Sequence, residues 1–263
     1  MEAESPRSLE EALRLKAEHP DAVPIDGGTD VMVELNFDRR RPDLLLDLNR
    51  VGELDGWSAE NGTIRLGASL TYTQAMEPAL AARLPALAEA SRTVGSPQIR
   101  NRGTIGGNLG TASPAGDALP PLLVAGAQVE VAGSAGSRTL ALEEFLVGPK
   151  RNALESGELI VAVTVDARDL PQTFMKVGPR NAMVIAVCSL ALAVDAERDE
   201  IRAAFGSAGP VPALVRAPLA EAAGFPEAVA AAASPIDDVR GTAAYRRHAL
   251  AVLTRRAMER CGL

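Results

Sequence analysis

The feature that most constrains this chain is a Gly-rich connection running from Val94 to Pro120, set in the middle of otherwise regular apolar segments. Loops of this length inside a compact domain are uncommon, and most of those that occur carry function. Its centre reads Gly103-Thr104-Ile105-Gly106-Gly107-Asn108 and continues through Thr111 to Asp117. A shorter counterpart lies upstream, Pro24-Ile25-Asp26-Gly27-Gly28-Thr29-Asp30-Val31. Each follows an apolar or turn segment and precedes an expected helix. Paired glycines let a backbone adopt positive φ and approach a ligand closely. Successive backbone N–H groups can then converge on an anion, and Thr29, Thr104 and Thr111 offer hydroxyl donors. Two such loops facing each other suit a pyrophosphate, which carries oxygens on both sides. Neither loop is a GxGxxG fingerprint opening a βαβ unit, and neither is a Walker A sequence. Gly-Gly pairs are also ordinary turn residues, so the spacing alone leaves ligand loop and plain turn both open.

Around these loops the chain reads as three units. In the first, 1–58, Ser8 followed by Glu11 forms a capping box. The helix it opens carries Leu9, Leu13 and Ala17 on one face and stops at Pro20. Short apolar pieces at Ala22–Ile25 and Leu44–Leu48 flank a helical Val31–Leu35. In the second, 59–169, Asn61-Gly62 marks a hairpin. Helices are expected near Tyr72–Met76, Pro85–Arg92 and Leu122–Ala125, and strands at Gln128–Val131 and Leu159–Val165. In the third, 170–263, Ala182–Val194 and Ile201–Phe205 read as long strands joined near Arg198-Asp199. The remainder reads as Ala- and Arg-rich helix, above all Thr242–Arg260. The expected class is α+β: two N-terminal α/β subdomains followed by a C-terminal α+β domain in which an antiparallel sheet packs with helices.

Composition removes several functions. The net charge of −7 and the 3% aromatic content disfavour a nucleic-acid partner. The two cysteines, Cys188 and Cys261, are far apart and no Cys/His cluster exists, so a metal or iron–sulfur site made by this chain alone is not expected. A disulfide framework is not expected either, which fits the cytoplasm. No stretch is long and apolar enough to read as a membrane span, and the charged first residues do not read as a signal peptide. Cys188 reads as an inert buried thiol, and His19 and His248 as surface residues.

The run Gly95-Ser96-Pro97-Gln98-Ile99-Arg100-Asn101-Arg102-Gly103-Thr104-Ile105-Gly106-Gly107-Asn108, followed by Ala112-Ser113-Pro114-Ala115-Gly116-Asp117, resembles the FAD-binding (medium) subunits of the molybdenum hydroxylase family. That family includes the medium subunit of carbon monoxide dehydrogenase and the FAD subunit of xanthine dehydrogenase. Gly27-Gly28-Thr29-Asp30 resembles its N-terminal FAD loop. Asp47-Leu48-Asn49, Ile64–Ala68 and Phe174-Met175-Lys176 with Arg180 follow in the family's order. The resemblance covers nearly the whole chain and implies a PCMH-type FAD-binding fold.

It further implies a role for individual positions. Pro24, Ile25, Asp26, Gly27, Gly28, Thr29, Asp30 and Val31 would wrap the FAD pyrophosphate from one side, and Thr104, Ile105, Gly106, Gly107 and Asn108 from the other, with Thr111 beside them. Val94 and Gly95 would sit near the adenine or ribityl side, and Asp117 would hydrogen-bond the flavin or its ribityl chain. Ile160 would pack on the cofactor, and Lys176 would lie near the isoalloxazine. No residue of this chain is expected to be catalytic or to bind metal. FAD is expected to be non-covalent. Molybdopterin would reside on a large partner subunit and two [2Fe–2S] clusters on a small one, with electrons leaving to an acceptor such as NAD or a quinone.

Other readings stand beside this one. Asp117 is placed to cap a helix beginning near Leu119, and Lys176 fits a solvated strand residue. Arg100 and Arg102 read as surface or partner-facing charges. At the level of the protein, the rivals are a stand-alone FAD-dependent oxidoreductase on the same fold and a flavin-free scaffold subunit.

Overall fold

The N-terminal charged residues form a strand that their side chains do not advertise. In the computed structural model, which describes residues 1–180 and 183–263, β1 (Glu2–Glu4), β2 (Val23–Ile25) and β3 (Leu44–Asp47) make a parallel sheet with β3 in the middle. Helices Leu9–Glu18 and Val31–Asn36 supply the crossovers. The capping box at Ser8 is half formed. Ser8 Oγ accepts from Glu11 N at 3.2 Å, but Glu11 Oε2 accepts from Arg7 N rather than Ser8 N.

A five-stranded antiparallel sheet follows, built from β4 (Trp57–Glu60), β5 (Thr63–Gly67), β6 (Gln128–Gly133) and β7 (Gly136–Ala141). A small hairpin, β8 (Leu146–Gly148) with β9 (Arg151–Asn152), precedes its central strand, β10 (Leu159–Asp166); the sheet order is β4-β5-β10-β6-β7. Asn61 and Gly62 both have positive φ, 51° and 78°, which matches the twist a tight hairpin needs.

The stretch from Val94 to Pro120 is not the open loop its composition suggested. It contains the helices Pro97–Arg100 and Ile105–Thr111 and runs into Leu119–Val124. Capping offsets the poor propensity of its glycines: Ser96 Oγ accepts from Ile99 N, and Thr104 Oγ1 accepts from Gly107 N. A seven-residue helix with Gly106, Gly107 and Gly110 stands on tertiary packing, with Ile105 and Leu109 both fully buried.

The last sheet is an antiparallel meander of β11 (Gln172–Val177), β12 (Cys188–Asp195), β13 (Glu200–Gly206) and β14 (Ala213–Pro218). The expected strand Ala182–Val194 therefore starts only at Cys188, and Ala182 lies outside the described residues. Strand β14 corrects the all-helical expectation after Phe205. Its Ala-Leu-Val-Arg-Ala-Pro sequence pairs along β13 and ends at a proline, which an edge strand tolerates. Every residue of β12 is buried, because both faces of the sheet are covered. Leu119–Val124 packs on one face, and Ala243–Arg260, capped by Thr242, on the other. The core runs continuously from Leu119, Leu122 and Val163 to Phe174, Ala191 and Ala204. It thus crosses the 167–171 link between β10 and β11. That link is pinned by Arg168, whose guanidinium donates to the fully buried Asp195 at 2.5 Å, where Arg202 also reaches at 3.2 Å. Together these elements are an α+β fold.

Candidate functional site

The two Gly-rich segments meet across a cleft made of two joined cavities of about 370 and 950 Å³. Thr29, Asp30, Tyr72, Asn108 and Lys150 border both. The smaller lies between Pro24–Val31, the Ile105–Thr111 helix and β10; the larger lies between the 94–117 segment and the C-terminal sheet and helices.

Glycine is needed here mainly where backbone meets backbone. A Cβ on Gly27 would lie 1.9 Å from the carbonyl oxygen of Arg102, so the first loop rests directly on the second. A Cβ on Gly106 would lie 2.7 Å from Ala68 O. Gly107 turns the other way: its Cβ would meet only Thr104 Oγ1 at 3.0 Å, and the residue is exposed to the cleft. Side chains then brace the pair. Arg102 Nη2 donates to Asp26 O at 3.1 Å and to Asn49 Oδ1 at 2.7 Å, while Asn49 Nδ2 donates to Asp26 O at 2.9 Å. Thr111 Oγ1 donates to Asp30 Oδ2 at 2.8 Å. Arg100 donates to the carbonyls of Val94 and Gly95 at 3.1 and 3.0 Å. Both arginines therefore hold the site's backbone, a role their reading as surface or partner-facing charges did not include, although Arg102 is indeed exposed.

Hydrogen-bond accounting divides the labour between the loops. In the second, Ile105 N donates to Leu70 O, Gly106 N to Ala68 O, Gly107 N to Thr104 Oγ1 and Asn108 N to Thr104 O. These donors are spent, so the expectation of an anion nest on both sides fails here. Thr104 takes two of them at the start of its helix, and the 68–70 backbone takes the other two. In the first loop, the N–H groups of Gly27, Gly28, Thr29, Asp30 and Val31 have no acceptor among the described residues. Gly28, at φ 73°, makes the bend that presents them.

At the larger cavity, Asp117 and Lys176 form a buried ion pair, Nζ to Oδ2 at 2.6 Å, and Nζ also donates to Thr93 O at 3.2 Å. Asp117 Oδ1 has no partner, and neither has Asn108 Oδ1. Burial pushes the Asp117 carboxyl above the usual carboxylate range, although the Lys176 ammonium pulls it down. Asp117 does not cap the next helix: Ala118 holds that position and no side chain caps it. Lys176 is buried, not solvated. Burial also raises Asp26, against the nearby charge of Arg102, and raises Tyr72, helped by the charges of Asp117 and Asp30.

Of the residues singled out in the sequence, Pro24, Asp26, Gly27, Gly28, Thr29, Asp30, Val31, Thr104, Gly106, Gly107, Asn108, Thr111 and Ile160 line the smaller cavity, and Val94, Gly95 and Asp117 the larger. Three line neither. Ile105 is fully buried in the core, Ile25 packs beneath Gly28, and Lys176 stands behind Asp117. Sequence reasoning missed Ser69, Tyr72, Arg40 and Lys150, which also border the cleft. Of the bracing side chains, Asn49, Arg100 and Arg102 lay inside noted motifs. Cys188 is buried, with its thiol pushed up to about 12 by burial, and lines neither cavity; Cys261, His19 and His248 do not line them either.

An α+β chain with this cleft defines a class of flavoprotein. The family described as the FAD binding domain in molybdopterin dehydrogenase matches residues 1–166. The chain belongs to that family and is an FAD-binding oxidoreductase subunit of the molybdenum hydroxylase type. It is 38% identical over 198 residues to the nicotinate dehydrogenase FAD-subunit of Eubacterium barkeri, covering 72% of this chain and 67% of that protein. To the xanthine dehydrogenase FAD-binding subunit of Escherichia coli O157:H7 it is 33% identical over 213 residues, 78% of this chain and 73% of the other. Among solved structures it is similar to a chain of the carbon monoxide dehydrogenase from Hydrogenophaga pseudoflava, with a TM-score of 0.90 and 28% identity, covering 99% of this chain and 96% of that one.

Proposed function

We propose that this chain is the electron-transfer subunit of a molybdopterin, iron–sulfur and flavin hydroxylase, with FAD lying along both cavities. One observation carries the reading: the unspent N–H groups of Gly27 to Val31 line a cavity whose far wall is the cleft-facing side of the Ile105–Thr111 helix. A diphosphate has the oxygens to accept from such a run, and FAD has one between its two halves. The orphaned Asn108 Oδ1 and Asp117 Oδ1 fit a ligand with polar edges further along the same cleft.

In this reading residues 27–31 hold the pyrophosphate, and Gly107 keeps the opposite wall low. Ile160 packs against the part of the cofactor in the smaller cavity, while Val94, Gly95 and Asp117 border the part in the larger. Asp117 holds its place through Lys176, so the pair fixes one carboxylate and one ammonium near the flavin end. Bound FAD supplies reversible uptake of one or two electrons; the chain orients it and sets its charge environment. Attachment is non-covalent, since neither cysteine and neither histidine borders the cleft. The proposed division is 1–58, 59–169 and 170–263; each unit carries most of one of the three larger sheets, although β4 (Trp57–Glu60) straddles the first boundary.

With two distant cysteines the chain has no ligand set for a cluster. Electrons would therefore arrive from [2Fe–2S] clusters on a small partner, fed by a molybdopterin centre on a large one, and leave to an acceptor such as NAD or a quinone. Two free thiols suit the cytoplasm, and among the described residues no helix is long and apolar enough to cross a membrane. Co-purification from the native source tests the assembly. Iron, molybdenum and two further polypeptides are expected with this chain; a single yellow polypeptide that turns over an organic substrate contradicts it.

A further inference from the structure

We infer that Lys150 is the cation that neutralises the cofactor's diphosphate, an assignment that rests on the FAD reading above. Lys150 is the one basic residue among the five that border both cavities. It therefore sits where a ligand passing from one to the other must cross, and Thr29 and Asp30 of the donor loop share that position.

The fold holds it there deliberately. Lys150 lies in the turn of the β8–β9 hairpin, and its N–H donates to Ala112 O at 3.0 Å. Two residues on, Asn152 Nδ2 donates to Gly110 O at 2.8 Å. The hairpin is thus pinned to the last turn of the Gly-rich helix. Lys150 also has φ 55°, the left-handed region that glycine adopts without strain. A strained non-glycine residue beside a ligand cleft points to a use for its side chain.

Charge gives the same answer. The smaller cavity is bordered by Asp26, Asp30, Glu34 and Glu158, against Arg40 and Lys150. Arg40 is already drawn toward Glu34, at 3.7 Å. Lys150 has no carboxylate partner among the described residues and its side chain is exposed. A diphosphate diester adds two negative charges to this acidic wall. The N–H groups of residues 27–31 offer dipoles only, so a mobile ammonium at the junction supplies the missing charge.

FAD is removed from the full chain and its re-binding followed by quenching of flavin fluorescence, with Lys150→Gly and Lys150→Arg beside the wild type. Lys150→Gly removes the charge and relieves the backbone. It is expected to weaken FAD by roughly tenfold at low salt while leaving the melting temperature of the apoprotein equal or higher. The gap should narrow in high salt, as it must for a partly solvated charge. Lys150→Arg should stay within about threefold of wild type. Equal affinity of Lys150→Gly and wild type at low salt overturns the assignment. So does a loss of affinity in Lys150→Gly that salt does not change and that Lys150→Arg shares. Failure of the wild type itself to take up FAD is a different result, and it sinks the parent reading instead.

Discussion

Asp117 and Lys176, 59 residues apart in sequence, meet as a buried pair at 2.6 Å with one carboxylate oxygen left unpartnered. Asp117 belongs to the Gly-rich segment and borders the larger cavity, while Lys176 comes from β11 of the C-terminal sheet. The pair therefore ties the third sheet to the cleft, and it places a fixed ammonium behind the carboxylate where the flavin end is proposed to lie. An uncompensated anion there opposes reduction of the flavin. Lys176→Ala is expected to keep FAD but lower its reduction potential by some tens of millivolts, since ~1.4 kcal/mol corresponds to ~30 mV in a two-electron couple. Asp117→Asn should move it the other way. Spectroelectrochemical titration reads both, and unchanged potentials remove the pair from the flavin's surroundings.

The two kinds of glycine separate binding from folding. Gly107 is exposed to the cleft and a Cβ there meets only the Thr104 hydroxyl, at 3.0 Å, so Gly107→Val should still fold yet weaken FAD at least a hundredfold, about 3 kcal/mol. Gly27 abuts the carbonyl of Arg102, so Gly27→Ala forces the loops apart and should cost about 2–3 kcal/mol of stability. Thermal melts with and without FAD distinguish them. A Gly107→Val protein that stays fully yellow contradicts the cleft assignment.

Arg102→Ala tests whether the loops are braced as described. It removes the bonds to Asp26 O and Asn49 Oδ1. The expected result is a weaker FAD complex, by roughly tenfold, with a faster off-rate and little change in apoprotein stability, since the arginine is exposed. Stopped-flow displacement measures it; an unaltered off-rate shows that the donor loop holds its shape alone.

Asp195 anchors the β10–β11 link. Burial alone would raise its carboxyl, but the Arg168 guanidinium, the Arg198 N–H and Arg202 outweigh that and hold it below the usual range. A depressed folded value means its stabilisation is present above the unfolded value, about 3.9, and is lost as pH falls through the folded one. Asp195→Ala leaves Arg168 and Arg202 without this partner and should cost about 3–5 kcal/mol at neutral pH. Its urea midpoint should also fall less steeply than wild type below pH ~4. Parallel pH profiles for the two proteins contradict this account.

Much of the cleft was legible because it is built from motifs with local rules. Gly27-Gly28 and Gly106-Gly107 announce close approach, whereas Thr104, read as a hydroxyl donor to a ligand, caps a helix by accepting from Gly107 N. What was not legible is directional. Spacing does not say that Gly106 faces Ala68 while Gly107 faces the cleft, nor that the second loop's N–H groups are consumed by Thr104 and by the carbonyls of Ala68 and Leu70. Arg102 gave no sign of its role because its partners, Asp26 O and Asn49 Oδ1, are distant in sequence, and Arg100 because it bonds backbone carbonyls, which carry no residue signature. Lys150 carried no motif at all; its only mark is a left-handed backbone, which the sequence does not display. Strands β1 and β14 were missed since edge pairing overrides their charged or Ala-rich side chains.

The central claim is that the cleft holds FAD by its diphosphate. The most direct measurement is the absorption spectrum of the purified full chain, followed by chromatography of the cofactor released on denaturation. The account predicts flavin bands and one FAD per chain, with apoprotein that takes FAD back and binds FMN far more weakly. Released FMN, or a colourless protein that does not take up added FAD, would contradict it.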